Sequence, residues 1–225
     1  MTNHARRIRP VVVAAALCIV LSGCGGGEGG DDAPEWEDLT DEARLTSVVQ
    51  MADRLGALSN TAFAGTPSEF PVSGSATFSG YAIAAFDDAV TVDLIEDLDP
   101  NAEPRLLLLG NATLSADFGA RTISGEATEF FGREAGSFAQ YDGTVVFRDG
   151  EIGVDGALPG SRPNDIRFGY SGTLTGAGNE VVLDGDALGK FKGTPIRGLI
   201  ALDVDTNELN ETPTPSVFGV IAETD

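Results

Sequence analysis

Two short acidic segments have the side chains and the spacing with which calcium loops begin. They cover 97–101 and 203–207, and both have the order Asp-x-Asp-x-Asn. Carboxylate and amide oxygens at alternate positions are typical calcium ligands. A complete loop also needs a glycine at its sixth position and a glutamate at its twelfth, and neither segment has them. We therefore predict ordinary acidic segments at both places and no metal site.

Haem is the second ligand that the sequence could in principle hold. Haem iron takes His, Cys, Met or Tyr as axial ligands. The single His and both Cys lie within the first 24 residues, so the body of the chain has only Met and Tyr candidates. Buried tyrosines more often pack with their hydroxyl on a protein partner, and we predict no cofactor. The alternative is a haem, metal or small-ligand carrier, and its candidate ligands are a loop carboxylate, Met51, Tyr81, Tyr141 and Tyr170.

The body of the chain also lacks the side chains on which most hydrolases depend. Without His or Cys beyond residue 24 there is no Ser-His-Asp triad, no Cys-His pair and no zinc site of the usual kinds. Two carboxylates could hydrolyse a glycoside. Sugar clefts are rich in aromatic residues, however, and this chain has one Trp. We therefore predict that the protein is not an enzyme.

The start of the chain has the pattern of a lipoprotein signal. Three arginines precede an apolar run over 11–20, which is too short to span a bilayer. The run leads to Leu-Ser-Gly-Cys at 21–24, which resembles a bacterial lipobox. That resemblance implies removal of 1–23 and acylation of Cys24, and two or more acyl chains anchor a protein stably. Gly25 replaces the aspartate of an inner-membrane retention signal, which favours the outer membrane.

The predicted mature chain is strongly acidic. Its formal charge is −24, because removing 1–23 from a chain of charge −21 takes away three arginines and no acids. Such a surface repels phosphate backbones, so we exclude nucleic acid as a partner. It would attract a basic protein. Solubility, or adaptation to a salty medium, explains the charge equally well.

Between the anchor and the body we expect a tether and one helix. Residues 24–37 are rich in Gly and acids and bury little apolar surface, which is typical of a flexible link. The segment Asp38–Leu58 has apolar residues at helical spacing, with Thr40 as its N-cap. This stripe should pack on the following domain, at its open end or on a face of its sheet. The stripe consists of Leu45, Val48, Val49, Ala52 and Leu55.

From residue 72 onward the pattern is that of strands and tight turns. Apolar and polar residues alternate, and Asp-Gly pairs at 142–143, 149–150, 155–156 and 184–185 predict hairpin turns. Further turns are expected at Gly119-Ala120 and at 176–178. No helix fits between the strands, so the sheet should be antiparallel, and about eight short strands with tight turns predict a sandwich or a barrel. The 29 glycines, many of them inside strands, favour a small barrel. We therefore predict an all-β fold: a single antiparallel β-barrel of about eight strands over 59–225, preceded by one amphipathic helix. The predicted strands are Ser75–Phe86, Arg105–Phe118, Thr122–Phe131, Thr144–Phe147, Glu151–Ala157, Ile166–Leu174, Glu180–Phe191, Ile196–Val204 and Ser216–Ala222.

Four segments of the strand region have the order and spacing of a known family. They are 71–81, 110–125, 189–198 and 217–220. Together they resemble the transferrin-binding-protein-type β-barrel surface lipoproteins, although Lys192 stands where that family usually has an aromatic residue. The resemblance implies one eight-stranded barrel with an interior filled by side chains. It also implies display on the outer-membrane surface and export by a dedicated translocator.

The sequence predicts a lipid-anchored module that binds a macromolecular partner without chemistry. The partner would be a protein, and a basic one. The alternatives are the carrier described above and a passive envelope component. Long acidic connections on a rigid sheet are where binding tends to occur, and the candidate contact loops are 87–104 and 207–215. Their candidate partner-binding residues are Asp97, Asp99, Glu103, Glu208 and Glu211.

Overall fold

The structure is a computed structural model, and it describes residues 41–57, 70–86, 104–153 and 163–224. These residues belong to one compact unit with one helix and nine strands among them. The helix is α1 (Asp41–Ala57), and the strands are β1 (Ser75–Phe86), β2 (Leu106–Asp117), β3 (Thr122–Glu134), β4 (Ser137–Tyr141), β5 (Val145–Ile152), β6 (Asp165–Gly176), β7 (Asn179–Lys192), β8 (Gly198–Leu209) and β9 (Thr212–Thr224).

The strands form a closed antiparallel barrel of eight strands with one extra strand, which confirms the predicted fold class. From β5 to β9 each strand pairs with the next along the chain, and β1 closes the circle by pairing with both β2 and β9. β3 pairs with β2 on one side. On its other side it pairs with β5 along 122–127 and with the extra strand β4 along 130–134. Closure pairs both sides of each barrel strand and so removes the exposed edges of an open sheet.

Three of the Asp-Gly pairs predicted as hairpin turns do not reverse the chain. The pair at 142–143 connects β4 to β5, which follow one another along β3. The pair at 149–150 is a bulge within β5, where Asp149 has a φ of 52°. The pair at 184–185 lies inside β7. Residues that accept positive φ or close approach suit bulges as well as turns; the pair at 155–156 lies outside the described residues.

The other strand predictions differ from the structure mainly in their ends. The predicted Thr144–Phe147 and the start of Glu151–Ala157 belong to one strand, β5. β4 is absent from the predicted strands, and its short sequence, Ser-Phe-Ala-Gln-Tyr, does not alternate. The preceding Ala135 and Gly136 both have positive φ, as in a two-residue hairpin. The turns predicted at Gly119-Ala120 and at 176–178 are confirmed.

The interior of the barrel is filled by inward side chains, as predicted. β2 illustrates the cause, because Ala112, Leu114 and Ala116 point inward and are buried while the intervening residues are exposed. One apolar cluster extends through the barrel. Nine of its side chains are aromatic rings among the largest fully buried groups of the described residues. They are Phe78, Phe86, Phe130, Tyr141, Phe147, Phe168, Tyr170, Phe191 and Phe218.

The helix α1 packs on the outer wall of the barrel, which confirms that its stripe covers a face of the sheet. Val48 packs near Leu109 and Phe131, and Leu55 packs near Ile221. Leu55 also lies over Gly198, where an added Cβ would come within 2.7 Å of the leucine side chain. Met51 joins the buried stripe, whereas the predicted member Val49 is only partly buried. The predicted cap, Thr40, lies outside the described residues.

Candidate functional site

The structure brings together only part of the predicted contact surface. Asp97, Asp99 and Glu103 lie outside the described residues, as does Cys24. The prediction of a loop at 207–215 is wrong, because β8 and β9 pair until Leu209 meets Thr212. Only residues 210–211 form the turn, both with positive φ, which allows so tight a reversal.

Three glutamates cluster at the turn end of β7 and β8. Glu208 is exposed on β8 opposite Val182, and Glu211 is exposed in the turn itself. Glu180 is held beside them, because its backbone N–H donates to the Asn210 side-chain oxygen at 2.9 Å and its carbonyl accepts the Asn210 backbone N–H at 2.8 Å. We name Glu180, Glu208 and Glu211 the acidic end. It gives the barrel a concentrated negative charge that can attract a cationic group.

The calcium-like segment at 203–207 uses its polar atoms within the barrel. Asp203 accepts the Tyr170 hydroxyl at 2.8 Å, and Asp205 accepts the backbone N–H of Thr206 at 2.8 Å. The Asn207 amide donates to Ser216 at 2.8 Å. Among the described residues there is no group of three or more His, Cys, Asp or Glu side chains that could hold a metal ion.

This polar network fills an interruption between β7 and β8. The two strands pair at 181–182 with 208–209 and again at 188–192 with 198–202, but not between. Asn207 replaces part of the missing ladder, since its side-chain oxygen accepts the Asp184 backbone N–H at 2.9 Å. Tyr170 reaches the gap from β6 across Gly185, where a Cβ would lie 2.5 Å from the tyrosine hydroxyl. We name this interrupted stretch the seam.

The haem-ligand candidates are engaged in the fold. The Tyr141 hydroxyl accepts from Asn179 at 3.1 Å, and the Tyr170 ring stacks on Phe218 with 4.0 Å between centroids. Met51 lies on the buried face of α1, between the helix and the barrel wall, and Tyr81 packs beside it. Burial is the largest cause that raises the pKa of Tyr81, Tyr141 and Tyr170 above the usual 10.0. All three hydroxyls therefore remain protonated donors at neutral pH.

An apolar row crosses the outer wall in one register. It consists of paired residues on five neighbouring strands, and α1 covers only its first part. Leu109 on β2 is buried and Ile83 on β1 is partly buried under the helix, whereas Leu202 is 36% and Leu188 is 40% exposed. Val204, two positions beyond Leu202, is 45% exposed. The row runs through Leu109, Ile83, Gly219, Leu202 and Leu188.

We name Leu188, Leu202 and Val204 the open face. The sequence analysis missed these residues, although a signal was present. The predicted strand Ile196–Val204 contains Leu199, Ile200 and Ala201 in succession, without the polar alternation of a half-buried strand. Such a run indicates that both faces of the strand meet apolar surroundings. On β8 the inner face meets the core and Ile200 packs with the α1 stripe, whereas Leu202 and Val204 are 36% and 45% exposed.

Neither the helix of the described residues nor comparison with known proteins identifies a function. No helix in the part of the chain that the structure describes combines the length and apolar character needed to cross a bilayer. Comparison of the chain with models of protein families, with curated proteins and with solved structures gives no match. The function must therefore be inferred from the residues of this chain.

Proposed function

We propose that the protein is a lipid-anchored surface module whose barrel binds a macromolecular partner without chemistry. The packed interior is the observation that carries this proposal. Nine buried aromatic rings occupy the space in which a carrier barrel would hold its ligand. A partner would then bind the outer wall and the turns, because these are the surfaces of the barrel that another macromolecule can contact.

The anchor supports a place at the membrane surface. The lipobox-like segment ending at Cys24 precedes an acidic, Gly-rich stretch and then the barrel unit. Acyl chains on Cys24 would hold the barrel at the outer membrane or cell surface. The resemblance to transferrin-binding-protein-type surface lipoproteins supports the same location and export by a translocator.

The charge supports a basic protein as the partner. The predicted mature chain has a formal charge of −24, because the whole chain has a charge of −21 and removal of residues 1–23 takes away three arginines. The acidic end adds a local concentration of that charge on exposed side chains. Asp97, Asp99 and Glu103 add further acids on the connection between β1 and β2. A carrier function has less support, because Tyr141 and Tyr170 bond within the barrel.

Mass spectrometry of the native protein tests the anchor. We expect a mature chain that begins at Cys24 and carries acyl chains, and we expect a Cys24→Ser variant to leave the membrane fraction. Protease treatment of intact cells should degrade the wild-type barrel if it is displayed outside. An unmodified N-terminus elsewhere in the chain would contradict the proposal.

Partner capture tests the contact residues. We expect the full chain to retain a basic protein, and we expect neutralisation of Asp97, Asp99 and Glu103 to weaken that capture. Neutralising Glu208 and Glu211 tests the acidic end in the same way. Glu126 and Glu151 are exposed acids elsewhere on the wall, so their neutralisation is the matched control. Equal capture by all variants would show that these acids do not contact the partner.

A further inference from the structure

The open face continues a surface that the protein already uses for packing. Leu202 lies one outward position beyond Ile200 on β8, and Ile200 packs under α1. Leu202 and Leu188 also occupy the same register row as Leu109 and Ile83, which α1 covers. The apolar surface therefore extends past the side of the helix. Clustered exposed apolar residues of this kind mark interaction sites more often than isolated ones do.

The helix α1 shows which chemistry this wall accepts. Its apolar stripe covers the first part of the row, and an arginine at each end of the stripe binds the wall beside it. Arg54 donates to both carboxylate oxygens of Glu223, at 3.0 and 2.9 Å. Arg44 lies over the Phe131 ring at 5.4 Å. The wall thus binds an amphipathic helix through apolar contacts and cationic side chains together.

The open face has an acidic neighbour placed for the same mode of binding. Glu208 lies on the outer side of β8, six residues beyond Leu202, which is about 20 Å along a strand. A helix of about 13 residues covers that distance. No described cation forms an ion pair with Glu208 or Glu211, whereas Asp186 beside the open face pairs with Arg167 at 2.9 Å.

We propose that the open face and the acidic end together dock a basic amphipathic helix of the partner, which lies beside α1. Apolar side chains of this helix would cover Leu188, Leu202 and Val204, and its Lys or Arg side chains would pair with the acidic end. The inference rests on the proposed binding function and assigns it a surface. A second copy of the chain fits less well, because two barrels of high negative charge repel one another.

The test measures binding of a defined probe to the full chain, purified in a non-ionic detergent. The probe is a labelled helical peptide of Leu and Lys, about 14 residues long, and its partner probe has Glu in place of Lys. One variant carries Leu202→Ser and Val204→Ser, and another carries Glu208→Gln and Glu211→Gln. The matched control carries Val146→Ser and Glu151→Gln, because Val146 is 46% exposed on β5 and Glu151 is exposed on the same strand.

The expected result is that the Lys peptide binds the wild type. Its affinity should fall about tenfold in both the leucine–valine variant and the glutamate variant, and it should be unchanged in the control. The Glu peptide should bind much more weakly. Absence of Lys-peptide binding, or an equal loss in the control, would overturn the proposal. Thermal unfolding of each variant checks that the barrel remains folded, and substitutions at exposed positions of this kind leave it so.

Two further results would assign the open face to another occupant and overturn the proposal. One is concentration-dependent dimerisation of the wild type that Leu202→Ser and Val204→Ser abolish. The other is binding to uncharged phospholipid vesicles that the same substitutions abolish. If the native partner binds this variant as tightly as the wild type, the surface assignment fails and the binding function stands. If the peptide binds as expected and no partner is captured, the proposed function fails and the surface assignment stands.

Discussion

The covered and the open parts of the outer wall have similar apolar residues but different neighbours. On β1 and β2, Ile83 and Leu109 lie under α1, and Leu109 is 1% exposed. On β7 and β8, Leu188 and Leu202 continue the same row and remain open to solvent. Burial of an apolar side chain stabilises the fold in proportion to the area removed from water. The covered part therefore supports stability, and the open part is available for binding.

The strands behind the two parts differ as well. Behind the covered part, β1 pairs without interruption to β2 and β9. Behind the open part, β7 and β8 do not pair along the seam. Side-chain hydrogen bonds of Tyr170, Asp203 and Asn207 take the place of the missing backbone hydrogen bonds. A wall held by side chains opens at lower free energy than a wall held by a continuous ladder. We therefore expect the seam to open more readily than the continuous ladders of β1.

The largest expected effect is the loss of stability when a leucine is shortened in the covered part of the wall and in the open part. We expect Leu55→Ala to lower the free energy of unfolding by about 3 kcal/mol, because it leaves a cavity between α1 and the wall. Leu202→Ala, at a position 36% exposed, should cost well under about 1 kcal/mol. Urea denaturation of both variants measures the difference. Equal losses would show that the open face is buried in solution.

The next effect is a difference in hydrogen exchange between the seam and β1. We expect amide hydrogens at 183–187 in the seam to exchange about tenfold faster than those at 79–84 on β1, because β7 pairs there with β6 but not with β8. Hydrogen exchange with mass spectrometry measures both segments in one experiment. Equal protection of the two segments would contradict the contrast between a side-chain-held and a ladder-held wall.

Removing the Tyr170 hydroxyl should weaken the seam alone. Tyr170→Phe leaves Asp203 without its donor and should lower the free energy of unfolding by about 1 kcal/mol at pH 7. Burial raises the Tyr170 pKa above 10.0, so the folded state keeps a proton that the unfolded state loses above that pH. Wild-type stability should then fall as pH rises beyond about 10, and less so in the variant. An unchanged pH slope in Tyr170→Phe would contradict the assignment.

The smallest effect concerns the attachment of α1. Arg54→Ala removes a partly exposed ion pair with Glu223 and should cost about 0.5 kcal/mol. The pair also raises the pKa of Arg54, mainly through the hydrogen bond to Glu223. Limited proteolysis should then cleave the helix region faster, and the difference should shrink at high salt. Arg167→Ala, which removes an exposed pair between two barrel strands, should leave cleavage of the helix unchanged.

Much of the candidate site could not be predicted, for reasons that particular residues illustrate. The acids at 208 and 211 are evident in the sequence, but their strand and turn are not, because an acidic stretch with Pro213 and Pro215 has the composition of a connection as much as of a strand. Both prolines are tolerated in β9, where Pro215 pairs with Thr206. The Asp-Gly pair at 184–185 was taken for a turn, since nothing local shows that a tyrosine from β6 needs the space above Gly185.

The amino-acid sequence by itself determined the antiparallel all-β fold and the amphipathic helix before it, and its glycine content favoured closure into a barrel. Alternation of apolar residues decides which side of each strand faces inward, and that property is local. Only the tertiary structure decided that α1 lies across β1, β2 and β9 and that the β7–β8 ladder is interrupted. It also decided that the open face of the apolar row remains exposed. These features depend on which residues of distant strands share a register, and a local pattern contains no information about such partners.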